Sequence, residues 1–291
     1  MPKRRKEANE KQEKLFQDLP PTAPPPKSFK PLEHPIWTEN KAKLIERYLF
    51  YFLMVTKHGT YIDGFAGPQK PNKPQMWAAK LVTELKPQWL RHLYLFEKNR
   101  RLCNRLRALK HTHQDLNIQV FQGDFNVLVI RDLLSTGVIG QKEATFCLLD
   151  QRTFECHWST LQRLANYKTN GHKIELFYFF PYFWLDRALY AQKKTDVLDR
   201  WWGGHGWREW RKMKPDERKE SFVQRFKKEL GYQYALAWPI FRRKHGGNIM
   251  YYMIHATDHP VAPALMSRAY DKAIEPKEPP EQLDFSSLFN I

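Results

Sequence analysis

Tyr61-Ile62-Asp63-Gly64-Phe65-Ala66-Gly67-Pro68 is the stretch whose reading decides the fold. Thr60-Tyr61-Ile62 reads as a short buried strand, and Asp63 opens a turn punctuated by two glycines and a proline. Upstream, Leu44, Ile45, Tyr48, Leu49, Phe52 and Leu53 recur at helical spacing until Gly59 breaks the pattern. Downstream the alternation continues with a helix near 75–86, a strand at 90–96, a helix at 99–110 and a strand at 118–121. A helix at about 126–135, a strand at 144–149, a helix at 158–167 and a strand at 173–179 follow. Five strands separated by helices require crossovers, hence a parallel sheet buried on both faces. The end of the chain breaks this rhythm. Residues 232–238 and 249–256 are strand-like, and Gly246-Gly247 between them leaves no room for a helix, so they pair as an antiparallel hairpin. The expected fold is α/β: a Rossmann-like parallel sheet ending in an antiparallel β-hairpin, with a helical insert at 183–230 before the hairpin.

The ends of the strands carry the chemistry. In such sheets ligands bind at the carboxyl ends, where glycines let the backbone approach a nucleoside. The first strand ends at Asp63, and the second at Phe96-Glu97-Lys98, where a carboxylate can hold ribose hydroxyls. The third ends at Gly123-Asp124-Phe125-Asn126, able to read an adenine amino group, and the fourth at Leu148-Leu149-Asp150. Acids at four consecutive strand ends, 34, 27 and 26 residues apart, point to a nucleoside-type cofactor rather than to unrelated surface charge.

The pattern Asp63-Gly64-Phe65-Ala66-Gly67 resembles motif I of S-adenosylmethionine-dependent methyltransferases, particularly those acting on DNA, and the element order resembles the class I methyltransferase fold. That resemblance implies S-adenosylmethionine as cofactor. Asp63, Gly64, Phe65, Ala66 and Gly67 would wrap its methionine and adenosine parts. Glu97, Lys98, Asp124 and Phe125 would complete the cofactor site, and Asp150, facing the departing methyl group, would be the catalytic residue. Gln69 and Lys70 stand where such families carry a further glycine. The chain also resembles the three-Cys-motif partner proteins over most of 34–275: in His34-Pro-Ile-Trp37 with Lys41 and Lys43, in 61–68, in Phe96-Glu97-Lys98, in Asp150, Arg187 and His259-Pro260. Membership would imply a radical-SAM-like three-Cys protein as partner.

The chain departs from these patterns after the fourth strand. Related enzymes often place Asp-Pro there as a rigid turn, whereas this chain reads Asp150-Gln151-Arg152-Thr153-Phe154. Asp150 is either the residue that orients an acceptor or a strand cap in a degenerate, cofactor-binding relative. Cys156 follows six residues later, where pyrimidine C5 methyltransferases keep a covalent nucleophile, but without its proline-flanked motif it reads as a small buried residue. His111/His113 and His255/His259 lack a completing ligand set, so no metal is expected.

Charge and composition set the class of partner. The 291 residues carry 48 Lys and Arg against 31 Asp and Glu, a net charge of +17, which favours polyanions, chiefly nucleic acid. The excess concentrates in 1–30, in 98–113 and in 191–245. Within the last, Trp201, Trp202, Trp207 and Trp210 either stack on an exposed base, with Arg208, Arg211 and Lys212 on phosphates, or pack a helical core. Three cysteines without a CxxC pair, no apolar run near membrane-spanning length and no apolar signal region lead to the expectation of a cytoplasmic protein. The organisation expected is a basic, Pro-rich tail at 1–33, a Rossmann domain at 34–274 and a tail at 275–291. The last contains Gln282-Leu283-Asp284-Phe285 and Leu288-Phe289, a pattern like the peptides that dock on sliding clamps. The function expected is methyl transfer from S-adenosylmethionine to a nucleic acid or nucleotide. The alternative is a catalytically degenerate subunit of the same fold that binds nucleic acid or a protein partner in a defence or modification system.

Overall fold

The computed structural model describes residues 40–70, 72–190, 195–243 and 246–273. The tails expected at 1–33 and 275–291, with the clamp-like motif, and the His34–Trp37 block lie outside them. Helix α1 (Lys41–Thr56) leads into β1 (Gly59–Asp63), then α2 (Ala78–Thr83), β2 (Leu90–Glu97), α3 (Arg100–Thr112) and β3 (Ile118–Gln122). There follow α4 (Phe125–Leu128), β4 (Thr145–Leu149), α5 (Trp158–Ala165), β5 (Glu175–Phe180), α6 (Tyr182–Tyr190), α7 (Thr195–Trp202) and α8 (Pro215–Lys228). The described chain closes with β6 (Tyr234–Arg243), β7 (Gly246–Thr257) and α9 (Ala262–Lys272).

The strands form one sheet in the order β3-β2-β1-β4-β5-β7-β6. Pairing is parallel from β3 through β5, and β7 runs antiparallel to both β5 and β6. The order reverses between β1 and β4, the switch point at which such sheets bind ligands. This is the expected Rossmann-like α/β sheet with an antiparallel end, with one refinement: the hairpin folds back so that its second strand, β7, is inserted against β5 and β6 becomes the edge. The expected helix at 75–86 is shorter, because Pro74 starts a separate single turn at Pro74–Met76 and Trp77 is extended.

Alternation along the strands builds two cores. Tyr61, Leu93, Leu95, Phe146, Leu148, Phe177 and Phe179 face α1, α2, α3 and α9. Ile62, Tyr94, Phe96, Cys147, Leu149, Tyr178 and Phe180 face α4, α5 and the helical insert. The insert supplies Trp201, Trp207 and Trp210 to that second core, all at most 2% exposed. Trp201 stacks on Phe222 at 4.9 Å, its indole N–H donates to Tyr178, and the Trp207 indole donates to Asp199. The base-stacking alternative is thereby excluded for these three residues; the partly buried Trp202 packs edge-on against Trp210 and covers the Arg225 guanidinium. No helix among the described residues is long and apolar enough to cross a membrane.

Candidate functional site

A cleft of ≈ 580 Å³ opens over the carboxyl ends of β1, β2, β3 and β4, within the range that small-molecule sites occupy. The structure brings together in it Gly64, Phe65, Gly67, Glu97, Lys98, Asp124, Phe125 and Asp150. Asp63 and Ala66 do not line it. They shape the turn instead, through bonds that a strand-end pattern does not display.

Asp63 is 2% exposed, accepts the Phe65 N–H at 3.1 Å and is hydrogen-bonded by the Tyr61 hydroxyl at 3.0 Å. Burial raises its pKa to about 7; those two bonds pull it back in part, while Asp150 and Glu97 add repulsion. The turn then delivers the Gly67 N–H to Glu97 Oε2 at 3.1 Å, and Glu97 Oε1 takes the Asn99 N–H at 2.7 Å. A Cβ on Gly67 would stand 2.1 Å from Glu97 Oε2 and 2.9 Å from Leu102 Cβ, so the close approach there requires glycine. Each Glu97 oxygen keeps acceptor capacity toward the cleft. Gly123, at φ +152°, turns the chain so that Asp124 caps α4, accepting the Asn126 N–H at 2.9 Å. Phe125 forms a buried wall edge-on to Phe96 at 5.2 Å.

The fourth acid has partners from afar. Lys41, at the start of α1, reaches Asp150 Oδ2 at 2.5 Å, and Gln69 Nε2 donates to the same oxygen at 3.2 Å. Burial would push the Lys41 ammonium down, but Asp150 and the neighbouring Tyr251 more than reverse this and lift it to about 12. Asp150 lines the cleft, and its Oδ1 is a buried acceptor with no hydrogen-bond partner among the described residues.

The missing proline after β4 is replaced by side-chain bonds. Gln151, fully buried, donates to the Phe179 carbonyl at 3.1 Å and accepts the Cys156 N–H at 2.6 Å. Asn126 completes the bracket by donating to the Glu155 carbonyl and accepting from His157 N and Thr160 Oγ1. The Cys156 thiol is buried, does not line the cleft and is pushed well up by its burial. It is the small buried residue, with no thiolate to attack a ring. The sequence pattern gives no sign of the rim of Arg152, His157, Val197 and Arg200, since α7 contributes to the cleft only through the fold of the insert. The insert cations that the sequence offers for phosphate binding are engaged internally: Arg208 lies 3.5 Å from Asp199, Arg211 donates to the Leu189 carbonyl and Lys212 pairs with Glu209 at 3.0 Å. No group of three metal-ligating side chains occurs among the described residues.

No protein family and no curated protein matches this sequence. Among solved structures, the chain is similar to M. jannaschii TYW2 in complex with AdoMet, at 13% identity over 75% of each chain and a TM-score of 0.37. It is similar to the CurJ carbon methyltransferase at 12% identity, 73% of this chain, 54% of that one and a TM-score of 0.43. A third is the putative methyltransferase yhhF from Escherichia coli, at 13% identity, 55% of this chain, 73% of that one and a TM-score of 0.31. Likeness at this level decides neither activity nor substrate.

Proposed function

We propose that the cleft binds S-adenosylmethionine and that the protein transfers its methyl group to a nucleic acid or nucleotide. The observation that carries the reading is the convergence of Gly67, Glu97, Asp124 and Asp150 on one cleft at the switch point of the sheet. The residues present fit the cofactor. The bare Gly67 backbone packs directly on Glu97 and lines the cleft, Glu97 offers two oxygens to ribose hydroxyls, and Asp124 stands where an adenine amino group would donate. When bound, the sulfonium supplies an electrophilic methyl group. The chain's own part is positioning: the walls order the reactants, and Asp150 Oδ1 accepts an N–H or O–H of the acceptor and so aims its lone pair. Lys98, Arg152 and Arg200 at the rim supply charge for a phosphate-bearing acceptor.

The alternative, a binding subunit without transfer, is favoured by one feature: Lys41 and Gln69 both occupy Asp150 Oδ2, leaving a single oxygen for substrate. Calorimetric titration with S-adenosylmethionine and S-adenosylhomocysteine tests the cofactor reading. Micromolar binding, weakened in Glu97→Ala by about 2 kcal/mol, the cost of losing a charged hydrogen bond, is the expected result. A folded protein that binds neither compound refutes it, and binding without methyl transfer to any nucleic acid or nucleotide offered leaves the alternative.

A further inference from the structure

A second cleft, of ≈ 390 Å³, lies at the opposite end of the sheet, under the amino ends of β4 and β5. One wall is apolar: Phe52 and Val55 of α1 with Ala262 and Leu265 of α9. The other is polar and buried, with Tyr48, Thr145, Lys168, Glu175 and Thr257 all at most 6% exposed. Buried polar side chains lining an open cleft are costly unless matched, so the balance of partners decides what such a cleft accepts.

The acids there are already matched. Glu175 takes hydrogen bonds from Tyr48, from His255 at 2.9 Å and from Thr257 at 2.9 Å. Burial alone would push it up, but His255, Tyr48 and Thr257 more than offset that and hold it below the usual carboxylate range. Glu143 pairs with Arg91 at 2.9 Å and lies 3.4 Å from His58. The cations are in surplus. Lys168 commits two of its three protons, to the Glu143 carbonyl and to Thr145 Oγ1, and burial holds it down to about 8. Lys142 is exposed at the cleft without an ion pair among the described residues, and Lys173 gives one bond to the Ala165 carbonyl.

We propose that this cleft is a separate binding site for a small amphipathic organic anion, its apolar body against Phe52, Val55 and Leu265 and its charged head on Lys168. The site stands apart from the cofactor cleft, sharing no lining residue with it, and does not depend on the function proposed above.

The test is a fluorescence titration of the full chain with two probes of similar shape, 8-anilinonaphthalene-1-sulfonate and the uncharged N-phenyl-1-naphthylamine. The sulfonate is expected to bind one site that S-adenosylhomocysteine does not compete for. Lys168→Met should weaken the sulfonate by at least about tenfold, the effect of removing one charged interaction, and leave the neutral probe within about twofold. Should Lys168→Met not fold, Lys168→Gln, which stays a donor but is uncharged, gives the same comparison. Val55→Trp, at a half-buried wall position, should exclude both probes. The proposal is overturned if the native chain binds no sulfonate, if S-adenosylhomocysteine displaces it, if the two probes respond alike to loss of the Lys168 charge, or if Val55→Trp leaves binding intact.

Discussion

Gly67 has no room for any side chain. A methyl group there meets Glu97 Oε2 at 2.1 Å and Leu102 Cβ at 2.9 Å, so Gly67→Ala must displace the carboxylate that orders the turn. The expected outcome is a folded protein, judged by circular dichroism, whose calorimetric affinity for S-adenosylhomocysteine falls by at least about 2 kcal/mol, as for loss of a charged hydrogen bond. Asp63 makes a different prediction because it shapes the turn without lining the cleft. Asp63→Asn retains an acceptor for the Phe65 N–H and should keep cofactor affinity within a few-fold, whereas Asp63→Ala should lose it. The same pair carries a pH signature. The native carboxyl titrates at about 7, above its unfolded value, so the folded state binds the extra proton. Its contribution to stability therefore falls as pH rises from about 4 to 7 and is constant beyond. Thermal melts of Asp63→Asn should lack that decline, gaining on the native chain across this window; parallel melting curves for the two proteins would show that Asp63 does not titrate there. The turn at Asp63 was legible in sequence, but that its carboxylate holds the turn and does not line the cleft was not, because a strand-end acid reads the same whether its oxygens face a ligand or its own backbone.

Between elements, the ion pair of Lys41 with Asp150 ties the first turn of α1 to the end of β4, across 109 residues of chain. Both side chains are largely buried, at 9% and 11% exposure, so Lys41→Met leaves a carboxylate without its counter-charge and should cost about 3–5 kcal/mol. Adding Asp150→Asn removes the orphaned charge, so the double variant should be more stable than Lys41→Met alone in urea melts; a purely additive loss would mean that the two groups do not interact. Lys41 is marked in the sequence only through a family resemblance, since nothing in its spacing says that a lysine before an amphipathic helix will reach a strand end. The strands themselves were legible, because continuous apolar runs bounded by Gly, Pro and acids have few alternatives inside a parallel sheet. Their pairing order was less so: β7 inserts between β5 and β6, and a hairpin gives the same sequence pattern whichever of its strands lies inside. The insert was the least legible. Its tryptophans are interrupted by Gly203, Gly204 and Gly206, which leaves base stacking and core packing equally open until Trp201 and Trp210 are seen to close over Phe222 and Phe180.

At the scale of the molecule, a charge of +17 attracts polyanions, yet the fold divides the basic residues into two kinds. In the insert, Arg208 faces Asp199, Lys212 faces Glu209 and Arg225 is clamped by Glu229 at 2.6 Å between Trp158 and Trp202. On α3, by contrast, Arg100 and Arg101 are exposed on the first turn, directly after Lys98 and Asn99 of the strand-end cleft, and the run from 98 to 113 contains no acid. Sequence counts weight both patches alike; the structure sets the exposed Arg100 and Arg101 beside the site, next to Lys98 and Asn99 of its lining. Gel shifts with a single-stranded oligonucleotide at several salt concentrations separate them. Removing one cation that neutralises a phosphate lowers the slope of log K against log salt by roughly 1. Replacing Arg100 and Arg101 together by Ala should therefore weaken binding at low salt and flatten the slope by up to about 2. Replacing Arg208 and Lys212 by Ala should leave the slope unchanged, since each of those cations already faces an acid within the protein. A larger effect from the insert than from α3 would move the nucleic-acid surface away from the cleft and remove the argument for a polyanionic acceptor at Asp150.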